Sequence, residues 1–227
     1  MHFTLCDLVT DITQNAAESG ASRVELEIRE TWSGAPGAGE FRFTVRDNGK
    51  GMSPEERGRA LDPFVTDGEK HPNRKVGLGI PFLIQTAEQS GGGWELRSEK
   101  GRGTAISAWF DLANIDTPPQ GDLPGMFRTI LLFAGPEELS IRRIRQGGAG
   151  DLDYRCRKTE LAEALGDLED AGSLALLGQY LKSLEEDEDE DENNETAGEA
   201  DLTNEEEREN GKNDAGGTEK TQGLQKK

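Results

Sequence analysis

A chain of 227 residues with a formal net charge of −19 has room for one domain and an appendage, or for two small domains, and its acidity argues against nucleic acid as the main partner. Two cysteines and two histidines, with no Cys-x-x-Cys, encode neither a disulfide framework nor a zinc site. No apolar run reaches the ~18 residues of a membrane span, and the N-terminus lacks a basic-then-apolar signal, so a cytoplasmic protein is expected.

The charge is unevenly spread. Residues 185–227 hold 17 acids and 5 bases and open with eight consecutive acids, Glu185 to Glu192. Like charges that gain nothing by collapsing predict a disordered tail. Every Trp, Tyr and Phe lies before it.

In chain order, Leu5, Leu8, Val9, Ile12 and Ala16 recur at helical spacing, so residues 3–19 are read as a helix ended by Gly20. Asp11 and Asn15, four apart, share one edge of its apolar stripe, with Asp7 a turn earlier. Val24, Leu26 and Ile28 alternate with charges, as do Phe41, Phe43 and Val45, and the pair reads as a hairpin with one face buried. The second strand ends at Asp47-Asn48-Gly49-Lys50-Gly51. In that loop the glycines allow backbone to lie against a flat ligand, and an ionised Asp47, acceptor only, favours the amine of adenine over the carbonyl of guanine.

Ser53 and Pro54 open a short helix to Leu61. Asp67 to Lys75 is polar and reads as a mobile loop. Gly77 and Gly79 precede a helix from Pro81 to Gln89, whose free N–H groups suit a phosphate. Two adjacent strands follow, Trp94–Ser98 and Ala105–Phe110, joined by Gly101-Arg102-Gly103-Thr104.

Four signals now stand in one order: Asp11-x-x-x-Asn15, Asp47-x-Gly49-x-Gly51, Gly77-x-Gly79 before a helix, and Gly101-x-Gly103-Thr104 before a strand. Over roughly residues 3–112 the chain resembles the Bergerat-fold ATPases, the superfamily of gyrase, the large heat-shock chaperone, histidine kinases and the MutL proteins. Asp62-Pro63-Phe64 lies between the second and third signals, as in kinase members. The resemblance implies an α+β, two-layer sandwich, a mixed sheet with helices on one face, that binds ATP with Mg²⁺. It implies Asn15 as the Mg²⁺ ligand, Asp47 as the reader of adenine, and Gly49 and Gly51 in the loop that lets the base lie close. Thr104 is implied to back Asp47 through its hydroxyl or a water. The loop from Asp62 to Val76 is implied to be a lid with Gly77 and Gly79 as its far hinge. Arg74 and Lys75 within it are either γ-phosphate contacts or a solvated charge pair. Lys50 is expected to face solvent, His2 to be an ordinary surface residue and His71 a plain residue of the lid.

The chain departs from the family at Asp11. Hydrolytic members carry glutamate there to orient the attacking water, and the shorter acid either serves as base through a longer water path or supports the Mg²⁺ shell. The chain also begins at the first signal, without the dimerisation hairpin and phosphorylated histidine of sensor kinases. The resemblance therefore implies phosphotransfer onto a partner protein in signalling, or alternatively an ATP-gated binding module.

Beyond this ATP-binding domain, 1–113, residues 114–126 read as a linker and 127–184 as a small α/β appendage. Its expected elements are strands Phe127–Ala134, Leu139–Arg145 and Leu152–Arg157, then a helix capped by Thr159 and another reaching Leu184. Arg142, Arg143, Arg145, Arg155, Arg157 and Lys158 make it locally basic, as solvated strand faces or a docking surface. In its Pro118-Pro119-Gln120-Gly121-Asp122 segment the chain is similar to small free-standing ATP-binding proteins that accompany redox-enzyme genes such as iron-only hydrogenases. That similarity adds a redox-enzyme partner to the signalling one.

Overall fold

A computed structural model describes residues 4–34, 37–62, 79–148 and 150–186. Helix α1 (Leu5–Ala17) starts in a capping box: the Thr4 hydroxyl accepts the Asp7 N–H and the Asp7 carboxylate accepts the Thr4 N–H. Asp7 is thus spent on the helix end. Strands β1 (Arg23–Trp32) and β2 (Gly39–Asp47) form the expected antiparallel hairpin, with Val24 opposite Asp47. Helix α2 (Pro54–Leu61) has its own capping box, Ser53 with Glu56. Helix α3 (Gly79–Gln89) and the antiparallel strands β3 (Gly93–Glu99) and β4 (Gly103–Asp111) follow.

The alternation seen in the sequence decides which face is covered. Phe41, Phe43 and Val45 on β2 and Ile106, Ala108 and Phe110 on β4 join Leu5, Leu8, Val9 and Ile12 of α1 in one core. The opposite face carries Glu25, Glu27, Arg42 and Arg97. The result is the expected mixed sheet with helices on one face.

The segment expected as an appendage is part of that sheet. Strand β5 (Glu138–Gln146) pairs with β1, the one parallel pairing, and β6 (Leu152–Arg157) pairs with β5, giving the order β3-β4-β2-β1-β5-β6. Residues up to Glu186 form one compact unit. The expected strand Phe127–Ala134 is wrong: residues Leu123–Leu131 form helix α4, capped by the Asp122 carboxylate on the Gly125 N–H. Its buried residues Leu123, Met126, Phe127, Ile130 and Leu131 follow helical spacing. At ~1.5–3 kcal/mol for each large apolar side chain, a helix burying five of them is core. Nor is 114–126 a free linker, because the Pro119 and Gln120 carbonyls accept the Leu5 and Cys6 N–H groups at 2.9 and 3.0 Å. They satisfy donors that a helix start leaves unpaired.

Helices α5 (Lys158–Leu165) and α6 (Ala171–Ser183) end the unit. Thr159 does not cap α5. The position before the helix is Arg157, without a side-chain cap, and the Thr159 hydroxyl donates to Glu138. No helix among the described residues is long and apolar enough to cross a membrane.

Of the expected surface cations, Arg143 is the exception, with 1% of its side chain exposed. It faces Glu30 at 2.9 Å and Glu185 at 3.2 Å and donates to the Ile144 carbonyl. Gln120 donates to Glu30, and the Tyr154 hydroxyl donates to Glu185. Burial first, and then Glu185, push the Tyr154 hydroxyl far above its ordinary range, so it stays a donor. Glu185, expected to open the tail, therefore belongs to the folded unit. Losing one partner of a buried pair costs ~3–5 kcal/mol, and with Glu30 still present about 2 kcal/mol is expected for Glu185→Ala. That lowers the melting temperature of a unit this size by about 4–8 °C. A chain cut after Leu184 should show the same loss in a thermal melt, and one cut after Glu186 should show none.

Candidate functional site

A cleft of about 250 Å³ opens between the last turns of α1, the turn after β2, β3, β4 and the start of α3. Its walls are apolar, with Ile12, Val45, Met52, Ile80, Leu96 and Ile106, and its polar groups are few: Asp47, Thr104, Ser19 and Lys50 at the turn, Asn15 and Glu18 on α1. Volume and lining suit a flat ligand read by a small number of polar contacts.

Asp47 is half-buried at the end of β2. Its Oδ1 accepts the Gly49 N–H at 2.8 Å and, at 3.2 Å, a share of the Ser19 hydroxyl, whose shorter contact is the Ala16 carbonyl at 2.7 Å. Burial pushes its carboxyl above the usual range, against the lowering effect of the Gly49 N–H, the Ser19 hydroxyl and the Thr104 N–H. The turn itself is held from both sides. Lys50 N–H donates to the Ser19 carbonyl, the Lys50 carbonyl accepts the Gly101 N–H at 2.7 Å, and Met52 N–H donates to the Ser98 hydroxyl.

Thr104, Gly49, Gly51 and Lys50 each have surroundings that spacing did not show. The Thr104 hydroxyl pairs with Ser98 Oγ at 2.9 Å, so its recorded help to Asp47 comes through the backbone. A Cβ on Gly51, at φ +58°, would lie 1.9 Å from the Glu99 carbonyl oxygen, and one on Gly49 would lie 2.0 Å from Ser19 Oγ. Both glycines make room for the protein itself. Lys50 is exposed and yet lines the cleft.

At the other end, Asp11, Asn15 and Gly79 come together. A Cβ on Gly79 would stand 3.4 Å from Asn15 Nδ2 and 3.9 Å from the Asp11 Cβ. Asp11 and Asn15 are exposed on α1. Arg74, Lys75 and Gly77, and the rest of the expected lid from 63 on, lie outside the described residues, as does the tail from 187. Sequence reasoning missed Ser19, whose only signal was a hydroxyl beside the Gly20 stop. It also missed Met52, Ile80 and Leu96 as cleft walls, because apolar residues there read equally well as core.

The two ends make different demands on substitution. Gly51→Ala meets backbone at a positive φ and should destabilise by about 3 kcal/mol, whereas Gly79→Ala meets only a side-chain end and should melt within ~1 kcal/mol of the parent. Asp47 has a raised folded pKa, so its contribution to stability is present below the unfolded pKa and is lost as pH rises through the folded one. Asp47→Asn should therefore not lower the melting temperature at neutral pH.

Residues 3–114 match the family described as histidine kinase-, DNA gyrase B-, and HSP90-like ATPase. The chain is 34% identical over 114 residues to the nitrogen regulation protein NtrY of Azorhizobium caulinodans, covering 46% of this chain and 13% of that protein. To a putative sensor histidine kinase NtrY-like of Rickettsia conorii it is 27% identical, covering 44% and 14%, and to the sensor histidine kinase ZraS of Escherichia coli 23%, covering 52% and 23%. The chain thus spans a quarter or less of the length of these relatives. Among solved structures, the histidine kinase domain of the Erythrobacter litoralis EL346 blue-light activated histidine kinase is 21% identical, covering 48% of this chain and 43% of that one. Its TM-score of 0.30 is too low to argue from. Residues 3–114, just under half of the chain, thus form a histidine kinase-, DNA gyrase B-, and HSP90-like ATPase domain.

Proposed function

We propose that the cleft binds Mg·ATP and that the chain passes the γ-phosphoryl group to a side chain of a partner protein in signalling. The observation that carries the nucleotide reading is Asp47, an acceptor held at the edge of an apolar cleft of about 250 Å³ by Gly49 and Ser19. Adenine offers an amine to that acceptor, and guanine offers a second acceptor. The cleft falls just below the ~300–1,000 Å³ of whole-ligand pockets. Base and sugar fit within it, and the phosphates extend toward Asn15 and Gly79.

Asn15 suits Mg²⁺ as a single neutral oxygen donor, with phosphates and water supplying the other ligands. The ion, when bound, neutralises charge on the phosphates. Asn15 keeps this end polar without adding a negative charge beside the triphosphate. In the transfer, the acceptor atom bonds to the γ-phosphorus, the bond to the β–γ bridging oxygen breaks, and ADP leaves. The acceptor's proton goes to Asp11 or to solvent. The kinase reading rests on the sensor histidine kinases among the relatives.

Calorimetry with ATP and GTP tests the first half: ATP should bind and GTP should bind at least tenfold more weakly, and equal affinity overturns the adenine assignment. Asp47→Asn should cost about 1–3 kcal/mol of binding, because its amide can present a donor to adenine's amine. Recognition needs the ionised carboxylate, so ATP affinity should fall as pH drops through the raised pKa of Asp47. That fall should come at a higher pH than an ordinary aspartate gives, and should be absent in Asp47→Asn.

Radiolabelled γ-phosphate tests the second half. Label moving to a partner supports transfer, and ATP-dependent partner retention without label supports the gated module. Asp11→Asn should leave ATP affinity within about twofold and slow phosphate release or transfer by ~10²-fold or more if the acid is the base.

A further inference from the structure

A second cavity, about 420 Å³, opens where the end of β2, helix α2 and the β3–β4 turn meet. Among the described residues four arginines line it, Arg46 on β2, Arg57 on α2, Arg97 on β3 and Arg102 in the β3–β4 turn, beside two acids, Asp47 and Glu99. The register explains the hollow. Arg46 and Arg97 both pair with Ala105 on the strand between them, so a methyl group forms the floor and two guanidinium arms rise on either side. Two strand spacings set their backbones about 10 Å apart.

Partners decide how much of this charge is available. Arg97 is held by Glu95 at 2.6 Å and Arg102 by Glu99 at 3.1 Å. Arg46 and Arg57 have no acid partner among the described residues. Most of the cations of β5, β6 and α5 that drew attention in the sequence, Arg155 apart, are engaged. Arg143 is buried between acids, Arg142 is bonded to Asp153 and Glu27, Arg157 faces Glu160, and Lys158 donates to the Phe133 carbonyl. In a chain of net charge −19, unanswered cations gathered in one hollow form a local reversal of the field.

We propose that this concavity binds an acidic peptide segment of a partner protein. A small anion meets one or two guanidinium groups at a time, whereas here the cations come from three strands or turns and a helix. An extended chain carries side chains of one face at about 7 Å intervals, so alternate carboxylates can reach successive arginines and take the paired contacts guanidinium makes with them. Among the described residues no aromatic lines the hollow to stack a base, which favours the peptide over a single-stranded nucleic acid. The hollow shares Asp47 and Thr104 with the first cleft, but none of its arginines lines that cleft, so the peptide reading does not rest on what the cleft binds.

The test is fluorescence anisotropy of a labelled Asp-Ser repeat peptide with the full chain at low ionic strength. Saturable binding is expected, weakened as salt shortens the Debye length to ~8 Å. The Arg46→Glu, Arg57→Glu double variant should lose about tenfold or more in affinity. Arg155→Glu, on the same face at the far edge of the sheet, should lose less than about twofold. The Arg46→Gln, Arg57→Gln pair, checked by thermal melt, should show the loss in a folded protein. Absence of saturable binding, an equal loss in Arg155→Glu, or tighter binding of an oligothymidylate of matched charge would each overturn the proposal.

Discussion

A guanidinium with 1% of its side chain exposed constrains everything around it, because an ion removed from water without partners costs several kcal/mol. Arg143 takes its partners from three places: Glu30 on β1, Glu185 after α6, and the neighbouring Ile144 carbonyl. Those choices fix the register of the parallel pair. With Leu139, Ile141 and Arg143 turned to the helix layer, a slip of one residue exchanges them for Ser140, Arg142 and Ile144. Hydrophobic burial already opposes that slip, since Ser140 and Arg142 would take the places of Leu139 and Ile141, and a charge with acids waiting on one face opposes it further. Through Gln120 on Glu30 and Tyr154 on Glu185, the same network holds the segment before α4 and strand β6, so the second half of the unit is tied to the first by polar geometry as well as by core.

That tie bears on the nucleotide cleft through α1. The segment that donates Gln120 to Glu30 also caps α1 through the Pro119 and Gln120 carbonyls, and α1 carries Asp11 and Asn15, with Ser19 just past its end, toward or beside the cleft. Residues 114–186 are thus scaffold for the ATPase-family portion. Cys6, at the start of the same helix, has its thiol pushed up to about 12 by burial and by Asp122. It packs as an inert apolar group at that junction.

How much was legible follows from which signals are local. Strict alternation in β1, β2 and β4, and cap chemistry at Ser53, are read within a few residues, and they were found. Phe127–Ala134 failed because Phe-Arg-Thr-Ile-Leu-Leu-Phe-Ala is a short apolar run that fits strand and buried helix equally. The deciding residues, Leu123 and the Asp122 cap, precede it behind a Pro-Gly pair that reads as a turn. Arg143 looked like its neighbours Arg142 and Arg145, and Glu185 like the seven acids after it. Only tertiary pairing separates them. At the site, Asp47, Asn15 and Gly79 were legible as types at spacings, whereas Ser19 and the apolar walls acquire their role from packing that no short window contains.

The glycines of the Asp47 turn show why spacing carried so much. Read as sequence, Gly49 and Gly51 made room for a ligand; in the structure the space they free is filled by Ser19 Oγ and the Glu99 carbonyl, and Gly103, at φ +97°, leaves room for the carbonyl of Asp47. Three segments meet there at distances that a Cβ would forbid, namely the end of α1, the turn after β2, and the β3–β4 turn. Their meeting places the Gly49 N–H and the Ser19 hydroxyl on the Asp47 carboxylate. Without those donors a half-buried acid is desolvated with little return and tends to protonate; with them it remains an acceptor at the cleft wall, still at some cost, as its raised pKa records. The pattern of acid and alternate glycines therefore acts at one remove: the glycines build the backbone junction, and the junction holds the Asp47 carboxylate at the cleft.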